Sequence, residues 1–122
     1  MSKSDTNEWL KEVVELSLLY DFYGELLSPA SKRAFTGYVL EDMTLAELSE
    51  ETGVSRQGVY DMVKRSVKKL RDYENKLRLV EKFENMKAET AKIKALAGEV
   101  KEGHSEKCDD IIALADRIID EM

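Results

Sequence analysis

The stretch TLAELSEETGVSRQGVYDMVKRSVKKLR, Thr44 to Arg71, decides the fold. Thr44-Leu45-Ala46-Glu47 has the spacing of a capping box, in which the threonine and the glutamate three residues on satisfy free amides at a helix start. The helix that begins there must end before Gly53, because glycine takes the left-handed backbone that closes a helix at little cost. Ser55 is placed to cap another helix only two residues later. Two short helices joined this way predict a helix-turn-helix. The packing positions agree: Leu48, Val54, Val59, Met62 and Val63 are apolar, and Ser49 is small where the two helices approach.

At 100° per residue, with Val63 at the centre of the buried side, Val59, Val67 and Leu70 fall within about 40° of it. The opposite side carries Gln57, Asp61, Lys64, Arg65 and Lys68, with Tyr60 and Arg71 at its edges and Arg56 at the exposed start. Arg, Gln and Tyr near a helix start can reach base edges or phosphates, and Lys64, Arg65, Lys68 and Lys69 supply charge for a polyanionic backbone. Arg56, Gln57, Tyr60, Lys64, Arg65, Lys68, Lys69 and Arg71 are therefore the candidate nucleic-acid-binding residues. For Lys68, Lys69 and Arg71 a solvated charged face is the plain alternative. Asp61 either accepts from a cytosine amino group or restrains Lys64 or Arg65 by an ion pair.

This basic helix sits in a chain of 122 residues with a formal net charge of −6. Residues 1–52 carry 4 Lys/Arg against 11 Asp/Glu, net −7; residues 53–80 carry 8 against 3, net +5; residues 81–122 carry 7 against 11, net −4. Screening limits each field to about 10 Å, so the local island matters more than the total. Acidic flanks are expected to repel indiscriminate nucleic acid.

Charged residues at 36% and a single proline favour helices over strands, and the expected class is all-α. The first helix is expected from Thr6 to Leu27. Its apolar residues Trp9, Val13, Leu16, Tyr20, Tyr23 and Leu27 recur at spacings of 4, 3, 4, 3 and 4. Such a stripe faces either the core of its own domain or the seam of a homodimer, with Trp9, Val13, Leu16 and Tyr20 as the seam residues. Ser28 and Pro29 then start a second helix, predicted to run to about Glu41.

The Thr44–Arg71 stretch lies within a longer one, Leu19 to Phe83, that resembles the YlxM family of small bacterial proteins. The most specific pieces are LYDFYGELL, TLAE and VSRQGVYDMVKR. That family looks like the helix-turn-helix of region 4 of sigma factors and is linked, largely by gene neighbourhood, to the signal recognition particle pathway. The resemblance implies a regulatory or accessory role beside the particle's RNA and its GTPase. Ser49 and Gly58 depart from the usual pattern, where alanine is commoner, and Gly58 implies a softer first turn, by about 0.5–1 kcal/mol. The tail looks longer than the family's common core, and nothing is carried over to it.

Beyond Leu70, the residues Tyr73, Leu77, Val80, Phe83, Met86, Thr90, Ile93, Leu96 and Val100 predict a long amphipathic helix, continuous or broken near Asp72 to Asn75. Gly98 and Gly103 suggest its end. Ser105 is placed to cap a last helix carrying Ile111, Ile112, Leu114, Ala115, Ile118 and Ile119, which packs back as a hairpin or pairs with another subunit. The expected organisation is a helix-turn-helix domain over residues 1–86 and a helical extension over 87–122.

No catalytic constellation stands out: there is no glycine-rich phosphate loop, and one histidine, His104, beside one cysteine, Cys108, leaves a zinc site two ligands short. No enzymatic activity, cofactor or metal is expected. The N-terminus lacks an apolar run and no segment has the roughly 18 apolar residues of a membrane span, so a cytoplasmic protein is expected. The expected partner is nucleic acid, either DNA or signal recognition particle RNA. The competing expectation is an adaptor that binds the particle's GTPase without reading nucleic acid.

Overall fold

In the computed structural model, which describes residues 3–121, the chain is helical and contains no strand among the described residues. It divides into two compact units, Met1–Arg78 and Leu79–Met122. Arg78 marks the division: its backbone is left-handed, with φ 57°, and its amide closes the preceding helix on the Glu74 carbonyl. The division thus falls ahead of the boundary expected after Met86, and the break follows Leu77 instead of falling between Asp72 and Asn75.

In the first unit, α1 spans Thr6–Tyr23 and is capped by Asp5, whose side chain accepts from the Glu8 amide. The helix stops short of Leu27 in a 3-10 turn, Gly24–Leu26, and Leu27 still points into the core. α2, Pro29–Phe35, begins as its sequence requires, with Ser28 Oγ accepting from the Ser31 amide at 3.2 Å and Pro29 in the first turn. It does not continue as an α-helix to Glu41. A widened π-type turn, Thr36–Leu40, replaces its last part, and the Glu41 amide reaches back to the Thr36 carbonyl.

α3, Leu45–Thr52, carries the capping box in full: the Glu47 amide donates to Thr44 Oγ1 at 3.1 Å, and the Thr44 amide donates to Glu47 Oε1 at 3.2 Å. Gly53 closes it at φ 76°, and Ser55 Oγ accepts from the Gly58 amide to start α4, Arg56–Leu77. Leu16, Phe35, Leu48, Val63 and Leu70 are wholly buried where α1, α2, α3 and α4 meet. On α4 the buried stripe is Val59, Val63, Ser66 and Leu70. Ser66 takes the inner position expected of Val67, which is half-buried. Ser66 can do so because its hydroxyl donates to the Met62 carbonyl at 2.8 Å, which removes the cost of burying it.

The apolar stripe of α1 packs inside its own unit. Trp9 and Leu16 are buried, and Tyr20 is half-buried with its ring stacked on Phe35 at 5.2 Å. Val13 is half-buried as well. Of the two readings of this stripe, the core-facing one describes Trp9 and Leu16, whereas Val13 and Tyr20 keep part of their surface exposed. The apolar side chains that α1 leaves exposed are Leu10, Val14 and Phe22.

One polar fork ties α2 to α3. Arg33 donates through Nε and Nη2 to both oxygens of Glu51, at 2.6 and 2.8 Å, and through Nη1 to Glu41 at 2.6 Å. The hydrogen bonds to Glu51 and then Glu41 raise the Arg33 pKa, and the Arg33 hydrogen bond holds the Glu51 carboxyl below its usual range. A carboxylate depressed in the folded state stabilises the fold above its ordinary titration range and loses that contribution as pH falls through it. Glu51→Gln is expected to lower the Tm most near neutrality, with the gap to the parent closing as pH drops below about 4.5. Thermal melts across pH check this, and a gap that stays constant into acid would refute the assignment.

The second unit is a helical hairpin of α5, Leu79–Lys101, and α6, Cys108–Glu121, joined through Gly103 at φ 106° and a short 3-10 turn, Ser105–Lys107. Gly98 lies inside α5 and does not end it. On α5 the side chains most withdrawn from solvent are Val80, Met86, Glu89, Ile93, Leu96 and Val100. Glu89 occupies the seam position expected of Thr90, and its buried Oε2 has no hydrogen-bond partner among the described residues. Leu114 is the one buried apolar side chain described in this unit.

Candidate nucleic-acid interface

α4 is 22 residues long, about 33 Å, and its second face is open. Arg56, Gln57, Asp61, Lys64, Arg65, Lys68 and Lys69 are all exposed, on the side opposite Val59, Val63, Ser66 and Leu70. The helix therefore separates its core-facing stripe cleanly from a basic outer face. From Gln57 to Lys68 this face extends about 16 Å.

Tyr60 and Arg71 differ from the others. Tyr60 is half-buried, with its ring edge-on to Tyr38 at 6.4 Å, and Tyr38 in turn meets Trp9 of α1 at 6.0 Å. Burial, and then the neighbouring Tyr60, raises the Tyr38 pKa, so Tyr38 is uncharged near neutrality. Lys3 Nζ sits 3.8 Å from the Tyr38 ring centroid and donates to the Met43 carbonyl at 3.1 Å. Tyr60 thus anchors the first turns of α4 against the turn after α2 and, through Tyr38, reaches Trp9 of α1. The Lys64 ammonium lies 5.5 Å from the Tyr60 ring, close enough for a cation–π contact that orients it.

Arg71 is tied to α1. Its Nη1 donates to Glu15 Oε1 at 3.0 Å, and its Nη2 lies 3.7 Å from Glu12 Oε1. Nearby, Tyr23 Oη donates to Glu74 Oε1 at 2.5 Å. The C-terminal half of α4 is therefore locked to α1, and Arg71 works first as a structural cation. A groove of about 540 Å³ beside it is lined by Glu12, Lys64, Val67, Lys68, Arg71, Asp72 and Asn75.

Asp61 pairs with neither Lys64 nor Arg65 in the observed contacts. Its Oδ1 accepts from Gln57 Nε2 at 3.0 Å, one turn earlier. That bond uses the Gln57 amide nitrogen and not its carbonyl oxygen, and Lys64 and Arg65 stay exposed. Gly58 also finds a reason here: a Cβ at this position would stand 2.8 Å from Val54 Cγ1 and 3.0 Å from Ser55 Oγ. The missing methyl makes room for the turn to fold tightly onto α4, which offsets part of the helix-propensity cost of glycine.

A capped α3, a left-handed glycine turn and a second helix with a buried inner stripe and a basic outer face define a helix-turn-helix protein. Over residues 10–111 the chain matches the family described as "Putative helix-turn-helix protein, YlxM / p13 like", and it belongs to that family. The match extends well beyond the Leu19–Phe83 resemblance and reaches into α6. A UPF0122 protein of Caldanaerobacter subterraneus subsp. tengcongensis is 48% identical over 79 residues, 65% of this chain and 68% of the relative. UPF0122 proteins of Bacillus thuringiensis and Shouchella clausii are each 40% identical, over 74% of this chain and 82% and 84% of their own lengths. No solved structure matches the chain. No helix among the described residues is long and apolar enough to cross a membrane, and no group of His, Cys, Asp or Glu among them is arranged to hold a metal ion. His104 and Cys108 are both exposed.

Proposed function

We propose that this protein binds nucleic acid through the outer face of α4, as a non-enzymatic regulatory or accessory factor of the signal recognition particle pathway, in the cytoplasm. The observation that carries the reading is the exposure of Arg56, Gln57, Lys64, Arg65, Lys68 and Lys69 together on one face of a helix whose other face is fully spent on the core. Arg56 and Gln57, at the start of α4, are the residues placed to read, and the lysines hold the backbone. Tyr60 and Arg71 support this face from beneath. The pathway assignment rests on the family resemblance alone.

The groove geometry favours B-form DNA, whose major groove admits a helix, whereas A-form RNA offers bulges, loops and backbone. Binding of the purified protein across a salt series to signal recognition particle RNA, to duplex DNA and to the particle's GTPase decides the target. With about three to five phosphates neutralised per chain, log K is expected to fall against log salt with a slope of about −3 to −4. A flat salt dependence, or binding to the GTPase alone, would overturn direct recognition and leave the adaptor reading.

A further inference from the structure

The α5–α6 hairpin has more apolar surface than it can cover. Among the described residues, the first unit buries thirteen apolar side chains and the second only Leu114, beside the unpartnered carboxylate of Glu89. A two-helix layer of this size lacks the core for independent stability and ordinarily gains it by association.

Each helix carries a second apolar edge. On α6 the inner stripe is Ile111, Leu114, Ala115 and Ile118, while Cys108, Ile112 and Ile119 sit about 90° around the helix from it. Ile112 is 58% and Ile119 65% exposed, and with Cys108 and Ala115 they repeat at spacings of 4, 3 and 4. On α5 an apolar groove of about 440 Å³ is lined by Phe83, Met86, Lys87, Thr90, Ala91 and Lys94, again centred about 100° from the stripe that meets α6. Both edges are displaced in the same rotational sense along their own helices. Because the helices run antiparallel, those displacements bring both edges to one side of the hairpin.

We propose that this side is the interface with a second copy of the chain, two hairpins packing face to face as a four-helix bundle. Charge selects the arrangement. The outer rim of the α5 groove carries Lys87 and Lys94, and the outer rim of the α6 edge carries Asp109, Asp116 and Asp120. A twofold axis parallel to the helices lays each α5 over the α6 of the other copy, antiparallel, and sets Lys94 beside the partner's Asp116. A perpendicular axis would lay α5 on α5 and oppose like charges. The pairing is isologous, so each such contact occurs twice.

Light scattering or sedimentation of the full chain at micromolar concentrations is expected to give about twice the 13.9 kDa chain mass. Ile112→Lys with Ile119→Lys is expected to yield the monomer with its helical circular dichroism kept, since both side chains are exposed in the single chain. Lys94→Glu is expected to weaken association about tenfold, and adding Asp116→Lys is expected to restore it, which a merely unfolded variant would not do. A monomeric parent, a dimer that survives both isoleucine substitutions, or a charge swap that fails to rescue would each overturn the proposal.

Discussion

Lys64→Glu combined with Lys68→Glu is expected to lower affinity for the preferred nucleic acid by about 10²–10³-fold near 0.1 M salt. Both side chains are exposed and one turn apart on α4, and the structure assigns neither a salt bridge that the change would break. Lys64 contributes a cation–π contact to Tyr60, which is minor beside the wholly buried Val63 and Leu70 that hold the same turns. The fold should therefore survive, with unchanged circular dichroism and a nearly unchanged Tm. The salt slope should fall by about two, one for each phosphate contact removed. The comparison variant is Arg71→Gln, whose side chain already pairs with Glu15 and Glu12. It should affect binding less and stability more. If Arg71→Gln abolishes binding while the double reversal leaves it intact, the working surface lies on the α1 side of α4.

The helix-turn-helix was legible because each of its signals is local. Thr44, Glu47, Gly53 and Ser55 fix their own backbone within one turn, and all four act as their spacing requires. The π-type turn at Thr36–Leu40 was not legible, since nothing in its residues excludes an α-helix. Arg71 illustrates the same limit at the interface. On a helical wheel it belongs to the basic edge, but its partners Glu12 and Glu15 lie more than fifty positions away in sequence. Gln57 and Asp61, four apart on one helix, were close enough for their bond to be foreseen, yet a carboxylate on a basic outer face suggested a cytosine contact or an ion pair instead. Glu89 was missed for a different reason: a charged residue at a seam position contradicts the apolar pattern, and only an interior as thin as that of the hairpin tolerates it. The division at Arg78 depends on a left-handed residue that is neither glycine nor asparagine, so composition gives no sign of it.

Phe35→Ala is expected to cost about 3–5 kcal/mol, the usual range for a wholly buried phenylalanine whose cavity cannot close. Phe35 ends α2, is fully withdrawn from solvent and stacks on Tyr20 of α1 at 5.2 Å, so the deletion removes a contact between two elements as well as apolar area. A unit of this size holds only about 4–12 kcal/mol in total. The loss should lower its Tm by more than about 12 °C, at about 4–8 °C per kcal/mol. Leu26→Ala, at a side chain 55% exposed, should change little by comparison. Nucleic-acid binding links the two experiments: at temperatures where Phe35→Ala is partly unfolded, affinity should fall in proportion to the folded fraction and recover on cooling. The Lys64/Lys68 reversal should lose affinity at every temperature with helicity intact. That contrast separates what builds the face of α4 from what the face does, and a Phe35→Ala chain that melts within a few degrees of the parent would show that the core is organised around other side chains.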